Sequence, residues 1–555
     1  MRERRQVSLV LSISLLLLVL IMVQSATGFA ATANGATRYV AQGGTDIGDC
    51  TILTDPCGTV QYALDSAGNG DIIKIAAGTY TDVHSRPAPE GYVGAEDVLQ
   101  VAYIDKTVTL QGGYLAPDFA EPPDPVANQT ILDAEDKGRV LFIAGEVAPR
   151  IEGLRITDGN AADLGGGIEG SQDAGGGVYI MGTEAALVGN WVYGNVVEWW
   201  GGGLYLSQSS SLLEGNVVAE NEATDTEWGH GGGLALVSSD ARLYRNTVSG
   251  NQAKYKGGGI YLSSSDAILL GNVVDENRGG DGGGLELSNC DAAVLRDNII
   301  AGNDASIGGG LLLNNSDVAM IANMVTGNSA SLSGGGIAMW WSKPNLDGNT
   351  ISGNTLTGDC GGGVYLSWYS DAILTNNLIA GNRATYAEHG AALCVQDSAP
   401  RLLHTTIVSN TGSGGAVSVI DYYAHSSIAM TNTILASHTL GIAVSTGNTA
   451  TLEATFWGED DWANDVDWEG EGEIDLGDIN VRGDPAFTCT GSGCSVPYRL
   501  GTDSAALDEG VPTGIRTDID AELRPYQAPD LGADEYWPPG VLRWIYLPLV
   551  LRSAP

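Results

Sequence analysis

The sequence predicts an all-β fold, a right-handed parallel β-helix closed at its N-terminal end by a helical cap. Three observations predict it: a recurring glycine triplet, two apolar positions after each triplet, and a recurring pair of asparagines. The triplet returns about every 26 residues, a repeat length typical of solenoid proteins. It starts at residues 175, 201, 231, 257, 282, 308, 334 and 361, with degenerate copies at 390 and 414.

The residues after each triplet alternate between apolar and variable. Leu204 and Leu206 flank Tyr205, for example, and Leu285 and Leu287 flank Glu286. This period of two indicates a strand with one buried face. A single unit cannot bury that face, but stacked coils give each strand a neighbour above and below. Ten coils at a strand spacing of ~4.8 Å predict a rod section of about 50 Å.

The asparagine pairs form a second column of the repeat. Asparagine tolerates left-handed backbone, and its amide both donates and accepts hydrogen bonds. Identical asparagines in stacked coils are therefore predicted to form a hydrogen-bonded ladder along a turn. The pairs are Asn190/Asn195, Asn216/Asn221, Asn246/Asn251, Asn272/Asn277, Asn298/Asn303, Asn323/Asn328, Asn349/Asn354 and Asn377/Asn382.

The glycine triplets themselves indicate scaffolding. No triplet is followed by Lys-Ser or Lys-Thr, which excludes a phosphate-binding P-loop. Close packing of coils and positive φ at a corner both require glycine. The amphipathic stretch Gly58–Ala67 is predicted to cap the first coil, and the proline-bearing stretches Arg86–Gly91 and Ala116–Ala127 are predicted to be inserted loops.

Both ends of the chain carry apolar segments. Arg2, Arg4 and Arg5 precede an apolar run and small residues, which indicates a secretory signal peptide, with a retained membrane anchor as the alternative.

The expected segments are residues 1–33 for the signal peptide, 34–160 for the cap and irregular first coils, 161–440 for the regular repeats, 441–536 for the C-terminal coils and closing module, and 537–555 for a short apolar tail.

The net charge of the chain limits the kinds of molecule that it can bind. The net charge is −41, which opposes binding to nucleic acid, anionic membranes and bare polyanionic polysaccharides. An extracellular or cell-surface location fits this surface. Membrane association is expected only through the signal segment or the tail, and the oligomeric state is not predicted.

The seven cysteines divide into two local pairs and three single residues. Cys50/Cys57 and Cys489/Cys494 are disulfide candidates in an exported protein. Cys290, Cys360 and Cys394 fall at three different repeat positions, so stacking should keep them apart as buried free thiols. No Cys/His spacing resembles a zinc site.

Three stretches resemble known families. Residues 58–80, "GTVQYALDSAGNGDIIKIAAGTY", resemble the entry segment of pectin-lyase-like β-helix proteins. The glycine–asparagine repeats resemble those of chlamydial polymorphic membrane proteins, although the aromatic residue before the asparagine is absent. Gly483–Pro485, Ser504–Gly510, Asp518, Arg524-Pro525 and Asp530–Glu535 are similar to the closing segment of bacterial surface β-helix proteins with a choice-of-anchor domain. The resemblance implies the fold and a surface location; proteins of this fold include lyases, hydrolases, epimerases and adhesins.

The catalytic motifs of enzymes with that fold are incomplete in this sequence. Gly229-His230-Gly231 resembles a motif of polygalacturonases, but the preceding coil, Gly201–Asn221, contains no aspartate for the acid pair. Calcium-dependent lyases need clustered aspartates facing an arginine base, and no repeat places two or three acids beside Arg242, Arg245 or Arg296 in one coil. Asp465, Asp467 and Glu469 offer oxygen ligands in what is predicted to be a solvated acidic loop. No metal or cofactor is assigned, and calcium stays an open alternative.

Aromatic residues provide the main candidates for ligand binding. The variable loops before the triplets supply Trp199, Trp200, Trp228, Tyr255 and Tyr386, together with His230 and the acids Glu198, Asp225 and Glu227. After the strands, another side carries Trp340, Trp341, Trp368, Tyr369, Tyr422 and Tyr423. Exposed aromatic rings beside polar groups suit stacking on sugars or contact with proteins, whereas the alternative is that they cap apolar strand edges.

The sequence therefore favours an exported or cell-surface protein that acts as a non-catalytic binding, adhesion or structural element. Its expected partner is polysaccharide or other cell-surface material. The alternative is a polysaccharide-active enzyme, a lyase or glycoside hydrolase, with a site near Glu198–His230.

Overall fold

Each glycine triplet leads into a strand, and these strands stack in parallel in the computed structural model. The structure describes residues 35–168, 172–385, 389–490, 496–524 and 527–538. Leu204 pairs with Leu234 and Leu206 with Leu236, so each apolar residue lies beside its counterpart in the next coil. The predicted parallel β-helix is confirmed.

The strands that follow the triplets form sheet 1, which has 15 strands. Its strands are His84–Pro87, Asp97–Ile104, Arg139–Ala144, Val178–Met181, Leu204–Ser207, Leu234–Val237, Ile260–Ser263, Leu285–Ser288, Leu311–Asn314, Ile337–Trp340, Val364–Ser367, Leu393–Gln396, Val417–Ile420, Leu440–Val444 and Val466–Glu469.

Sheet 2 has 29 strands, because most coils contribute two strands to it. The first strands are Thr37–Val40, Ile72–Ala76, Thr109–Tyr114, Arg150–Glu152, Ala186–Val188, Leu212–Glu214, Arg242–Tyr244, Ile268–Leu270, Val294–Arg296, Ala319–Ile321, Asn345–Asp347, Ile373–Thr375, Arg401–Leu403, Ser427–Ala436, Thr449–Gly458 and Glu473–Asp475. The second strands are Gly78–Tyr80, Thr130–Asp133, Leu154–Thr157, Trp191–Tyr193, Val217–Ala219, Thr247–Ser249, Val273–Asp275, Ile299–Ala301, Met324–Thr326, Thr350–Ser352, Leu378–Ala380, Thr406–Val408 and Asn480–Gly483. The long strands Ser427–Ala436 and Thr449–Gly458 span both positions.

Short strands follow the second asparagine and form sheet 3 in two parts. Three strands make the first part and five make the second: Val196–Val197, Glu222–Ala223 and Gln252–Ala253, then Asp304–Ile307, Ser329–Ser333, Thr355–Leu356, Arg383–Ala384 and Thr411–Gly412. A regular coil thus has up to four strands, because each asparagine turn interrupts an otherwise extended run.

The inward side chains of successive coils form one continuous core. Leu206, Leu213 and Val218 of one coil are all at most 1% exposed, and their counterparts in other coils join the same cluster. Each such side chain contributes about 1.5–3 kcal/mol when it leaves water. The core is therefore the main stabilising feature of the rod.

Glycine is required at the positions of a triplet for different physical reasons. Gly231 has a φ of 65°, a left-handed conformation that favours glycine. A Cβ at Gly232 would lie 2.4 Å from the backbone of Gln252, and one at Gly233 would lie 2.7 Å from the carbonyl oxygen of Gly259. Positive φ and close packing between coils, the two predicted causes, thus act on different glycines of the same triplet.

The asparagine pairs form two ladders, one at each turn flanking the second strand of sheet 2. In the second ladder, the backbone N–H and side-chain Nδ2 of Asn251 both donate to Oδ1 of Asn277, at 2.9 and 3.0 Å. The same pattern links Asn195, Asn221, Asn251, Asn277, Asn303, Asn328, Asn354 and Asn382, and it continues to Asn410. The first ladder runs from Asn190 to Asn377.

A serine ladder, not expected from the sequence, holds the turn after sheet 1. The backbone N–H of Ser239 donates to Oγ of Ser265, and the N–H of Ser316 donates to Oγ of Ser342. Cys290 occupies a place in this column and is a buried free thiol, as predicted. A serine two residues after several sheet 1 strands, such as Ser209, Ser239 and Ser265, was the available sequence signal.

The N-terminal end carries a short helix, Val60–Ser66, within the predicted cap. The hydroxyl of Thr59 accepts a hydrogen bond from the backbone N–H of Tyr62 and so caps the helix start. Val60, Ala63 and Leu64 pack into the core. Part of the predicted loop Arg86–Gly91 is instead strand, because His84–Pro87 pairs antiparallel with Asp97–Ile104.

Two predictions about cysteine have different outcomes. Cys50 and Cys57 form a disulfide, with Cα atoms 5.3 Å apart. Cys489 is also disulfide-bonded, whereas Cys494 lies outside the described residues. The prediction of free thiols at Cys360 and Cys394 is wrong: they form a disulfide with Cα atoms 5.7 Å apart. Different repeat positions do meet, because the residue before a triplet lies over the middle of the next coil's strand.

The predicted acidic loop is not a loop throughout. Val466–Glu469 is the last strand of sheet 1, and Glu473–Asp475 belongs to sheet 2. Asp467 accepts from Nδ2 of Asn464 and pairs with Arg482, so its carboxylate has partners within the protein.

Residues 496–524 and 527–538, called here the closing module, dock against the side of the last coils. Leu500, Ala506 and Leu531 of the module pack in one cluster with outward side chains of sheet 2 such as Ile434 and Phe456. Asn432 donates from Nδ2 to the carbonyl oxygen of Val511 and accepts at Oδ1 from its N–H. The signal segment and residues 539–555 of the apolar tail lie outside the described residues. No helix within the described ranges is long and apolar enough to cross a membrane.

Candidate functional site

The residues just before successive triplets share one ladder. Trp200 bridges to His230, His230 to Lys256, and Lys256 to Asp281, each in parallel. The variable loops therefore line one side of the rod, as their common register predicts. The surface formed there by Trp199, Trp228 and Tyr255 is called the loop surface.

Trp200 and His230 do not lie on that surface, contrary to their prediction as ligand-binding residues. Trp200 is 5% exposed and His230 is 4% exposed. The triplet folds the chain back over sheet 1: a Cβ at Gly201 would lie 3.1 Å from Cα of Tyr205. The residue before the triplet therefore points across the sheet 1 strands, where Trp200 and His230 pack with Tyr261.

Burial also makes His230 a poor acid–base group. Its ring lies near Tyr261, and its Nδ1 contacts the carbonyl oxygen of Trp228. Burial lowers the pKa of His230 to about 4, so the ring is neutral near pH 7. The arrangement is that of a packed structural histidine.

Trp199, Trp228 and Tyr255 form the outer layer of the loop surface. The rings of Trp199 and Trp228 are nearly parallel, with centroids 6.1 Å apart, and Tyr255 meets Trp228 edge-on at 6.3 Å. Trp228 is 48% exposed. Asp225 shapes this loop, because its Oδ1 accepts from the backbone N–H groups of Glu227 and Trp228. Glu198 and Glu227 are exposed beside the rings, and Tyr386 lies outside the described residues.

A buried charged pair lies beneath the loop surface. Nζ of Lys256 donates to Oε1 of Glu286 at 2.8 Å, and Glu286 is fully buried. Burial raises the pKa of Glu286 to about 7 and also raises the pKa of Asp281. Nothing in the sequence indicated a function for Lys256, Asp281 or Glu286, although Glu286 stands out as an acid in a column of mostly apolar side chains.

A second set of aromatic residues lies at the opposite edge of sheet 1, where the strands end. We call Trp340, Trp341, Trp368 and Tyr369 the turn surface. Trp341 and Trp368 stack with centroids 4.3 Å apart, and Trp340 meets Trp368 at 5.3 Å. Trp341 is 48% exposed and Tyr369 is 59% exposed.

The backbone beneath the turn surface is firmly held. Trp341, Trp368 and Tyr369 all have positive φ, at 50°, 53° and 63°. The N–H of Trp341 donates to the carbonyl oxygen of Trp368, and the N–H of Tyr369 donates to that of Asp397. The serine ladder fixes the same turns at Ser342 and Ser370. The rings are therefore presented from ordered turns.

Tyr422 and Tyr423 extend this aromatic edge toward the C-terminal coils. They are 71% and 78% exposed and meet edge-on at 4.5 Å. Oδ1 of the buried Asp397 accepts from the backbone N–H groups of Tyr422, Tyr423 and Ala424, at 2.8 to 3.0 Å. Asp397 thus holds the turn that presents Tyr422 and Tyr423. The sequence did not indicate this role of Asp397.

The candidate catalytic arginines lie elsewhere. Arg242 and Arg296 belong to sheet 2, and Arg245 follows the strand that contains Arg242. Arg245 pairs with Glu214, and Arg296 pairs with Asp297. None of these three arginines lies in the column of residues that contains His230. The structure therefore does not bring them together with His230 in one site.

No group of three or more His, Cys, Asp or Glu residues that could hold a metal ion occurs within the described ranges. The acids beside Trp228 have local structural partners or face solvent. Calcium stays an alternative for testing, and no residue set is assigned to it.

Comparison with known proteins supports the fold. A family model described as the right handed beta helix region matches residues 167–351. This range contains most of the regular coils. No curated protein matches the sequence.

Two solved structures are similar to this chain. Pectate lyase Pel9A has 14% identity and a TM-score of 0.27, with 90% of this chain and 96% of that chain covered. A mutant tailspike protein of E. coli bacteriophage HK620, in complex with a pentasaccharide, has 12% identity and a TM-score of 0.33, with 76% and 77% covered. Likeness at this level carries no argument about function.

Proposed function

We propose that this right-handed parallel β-helix repeat protein is an exported or cell-surface protein that binds glycans without cleaving them. The turn surface is its binding surface. The observation that carries the proposal is the stack of Trp341 on Trp368 with Tyr369 exposed beside it, all presented from hydrogen-bonded turns of adjacent coils.

The chemistry of the turn surface suits sugars. Large aromatic rings offer flat apolar faces, and an exposed aromatic cluster with polar neighbours is typical of an interaction site. Because the turns are fixed before any ligand arrives, little ordering is needed on binding. Tyr422 and Tyr423 continue the same edge and add two phenolic hydroxyls.

Export is supported by the disulfides and the charge. The Cys50–Cys57 and Cys360–Cys394 bonds are typical of proteins that fold in oxidising compartments. The net charge of −41 keeps the protein away from nucleic acid and favours neutral glycans over anionic ones.

A non-catalytic role is supported by the state of the candidate catalytic residues. His230 is buried and has a lowered pKa, and Arg245 and Arg296 are paired with acids outside its register. These residues have structural roles that require no substrate.

A glycan array probed with the full chain, with and without calcium, tests the proposal. We expect binding that Trp341→Ala and Trp368→Ala reduce by tenfold or more, on the order of the loss of one ring contact worth about 1.4 kcal/mol. Trp191→Ala is the matched control, since Trp191 is 44% exposed on sheet 2. Trp228→Ala reports on the loop surface.

The outcomes separate the alternatives. Loss of binding with Trp228→Ala alone would move the site to the loop surface. Release of shorter products from a bound polysaccharide would overturn the non-catalytic assignment. Failure to bind any glycan would overturn glycan recognition and leave a structural role.

A further inference from the structure

The contact between Lys256 and Glu286 joins two successive coils on the outer side of sheet 1. Lys256 is the residue before one triplet, and Glu286 lies in the middle of the strand after the next triplet. Nζ of Lys256 is 2.8 Å from Oε1 of Glu286, and their side chains are 15% and 0% exposed. The amine and the carboxyl carbon are therefore almost in contact at a site that is largely shielded from water.

The surroundings disfavour charges on this pair. Nζ of Lys256 lies 5.2 Å from the ring centre of Tyr255, and Tyr261 lies one coil from Glu286 in the same column. Oε2 of Glu286 is buried and has no hydrogen-bond partner in the described part of the chain. Burial opposes the charge on Lys256, but Glu286 raises the pKa of Lys256 above its ordinary value, so the amine becomes neutral only when its proton passes to Glu286.

A third titratable group lies beside the pair. Asp281 bridges to Lys256 in the ladder and shares a coil with Glu286. Burial raises the pKa of Asp281, and its charge acts on Glu286. An amine and two acids thus lie close together on the outer side of sheet 1.

The same diagonal contact is already covalent elsewhere in the rod. Cys360 precedes a triplet, and Cys394 lies in the middle of the next coil's sheet 1 strand, so the two bonded residues occupy the positions of Lys256 and Glu286. This position therefore accepts a covalent bond between coils without interrupting the stacking of strands.

We propose that Lys256 and Glu286 become joined by an amide bond between Nζ and Cδ, forming a second covalent link between coils. The proton of the ammonium first passes to the carboxylate within the hydrogen bond. Nζ then forms its bond to Cδ, the Cδ–O bond breaks, and the departing hydroxyl takes a proton from nitrogen and leaves as water. The ammonium and carboxylate give one amide and one water, so no oxidant or cofactor is required.

Peptide mass spectrometry of the reduced and alkylated full chain tests this link. Trypsin should fail to cut after Lys256 and should release residues 255–278 joined to residues 279–296. The joined species should be about 18 Da lighter than its two peptides together, the mass of one water. Fragmentation should place the bond at Glu286.

The controls use conservative variants. Lys256→Arg keeps the charge but cannot form the link, so the joined species should disappear. Lys254→Arg changes an exposed neighbour that pairs with Glu222 and should leave the link intact. Recovery of residues 257–278 and 279–296 mainly as separate, unmodified peptides of the wild type would overturn the proposal. A bond placed at Asp281 would overturn Glu286 as the acceptor.

Discussion

The imidazole of His230 lies face to face with the indole of Trp200, with ring centroids 4.3 Å apart and 9° between the ring planes. The two residues come from the same place in successive coils. The sequence places both side chains in variable loops. In the structure they belong instead to an apolar layer between these loops and sheet 1. This layer extends the buried volume beyond the interior of the helix.

The His230 ring should make stability depend on pH. Its pKa is about 4 when folded and 6.5 in the reference state, so below pH 6.5 the unfolded chain gains a proton that the folded chain does not. Stability from the neutral ring is present above pH 6.5 and is lost as pH falls toward 4, by up to about 3 kcal/mol. Denaturant unfolding at pH 7 and pH 4 should show His230→Phe to be less sensitive to acid than the wild type. An equal loss in both proteins would contradict this assignment.

The closing module should respond to pH in the opposite direction. Burial raises the pKa of Asp518 to about 6 and those of Asp530 and Asp534 to about 7, above the ordinary 3.8. The folded module therefore takes up protons more readily than the unfolded module. Its local stability should increase as pH falls from about 7 to 4, and limited proteolysis of the module should be slower at pH 5 than at pH 8.

Asp530→Asn isolates that effect in the closing module. Removing one buried carboxylate should narrow the difference in proteolysis rate between pH 5 and pH 8. Asp503→Asn, at an exposed position, is the control and should leave the difference unchanged. Faster proteolysis of the wild-type module at pH 5 would refute the expected direction.

The middle glycine of a triplet should tolerate no side chain. Gly232→Ala places a Cβ 2.4 Å from the Gln252 backbone of the next coil, so we expect a loss of about 3 kcal/mol or more in unfolding free energy. Gly215→Ala is the matched control: φ is 62° there, and no described atom lies within 4 Å of the added Cβ. It should cost only about 1–2 kcal/mol, from backbone strain. Similar losses at both sites would show that close packing of coils is not the reason for the glycine.

An interior asparagine of the ladder should be equally sensitive. Asn277 accepts at Oδ1 from Asn251 and donates from Nδ2 to Val248 and to Asn303. Asn277→Ala leaves several buried groups without partners, so we expect a loss of about 3 kcal/mol in a chemical denaturation series. Asn345→Ala, at an exposed strand position, should change stability by less than about 0.5 kcal/mol. A small loss at Asn277 would mean that water or a neighbouring group replaces its amide.

Much of the fold was predictable because the chain repeats itself. Leu204 and Leu206 recur with fixed spacing, and a strand period of two leaves only one face for them to bury. The Asn251–Asn277 contact followed from the same register. The serine ladder is less regular, because Cys290 interrupts it and serine is common in loops, so the sequence did not indicate the contact between Ser239 and Ser265.

The candidate site was less predictable because it depends on what covers each side chain. Trp199 and Trp200 are neighbours in the chain, yet Trp199 is half-buried at the surface and Trp200 is beneath it. The local sequence does not record how far a loop folds back over sheet 1. Trp341 and Trp368 were predicted on one side, whereas their stacking and the turns that hold them required coordinates.

The sequence by itself determined the coil: its length, its strands, its glycine corners and its asparagine ladders. These features arise from interactions between equivalent positions, and a repeat places equivalent positions side by side. Only the tertiary structure decided the diagonal contacts, Cys360 with Cys394, His230 with Tyr261 and Lys256 with Glu286. Each joins non-equivalent positions of adjacent coils, because the triplet folds the preceding residue over the next strand, and that offset is set by packing across coils.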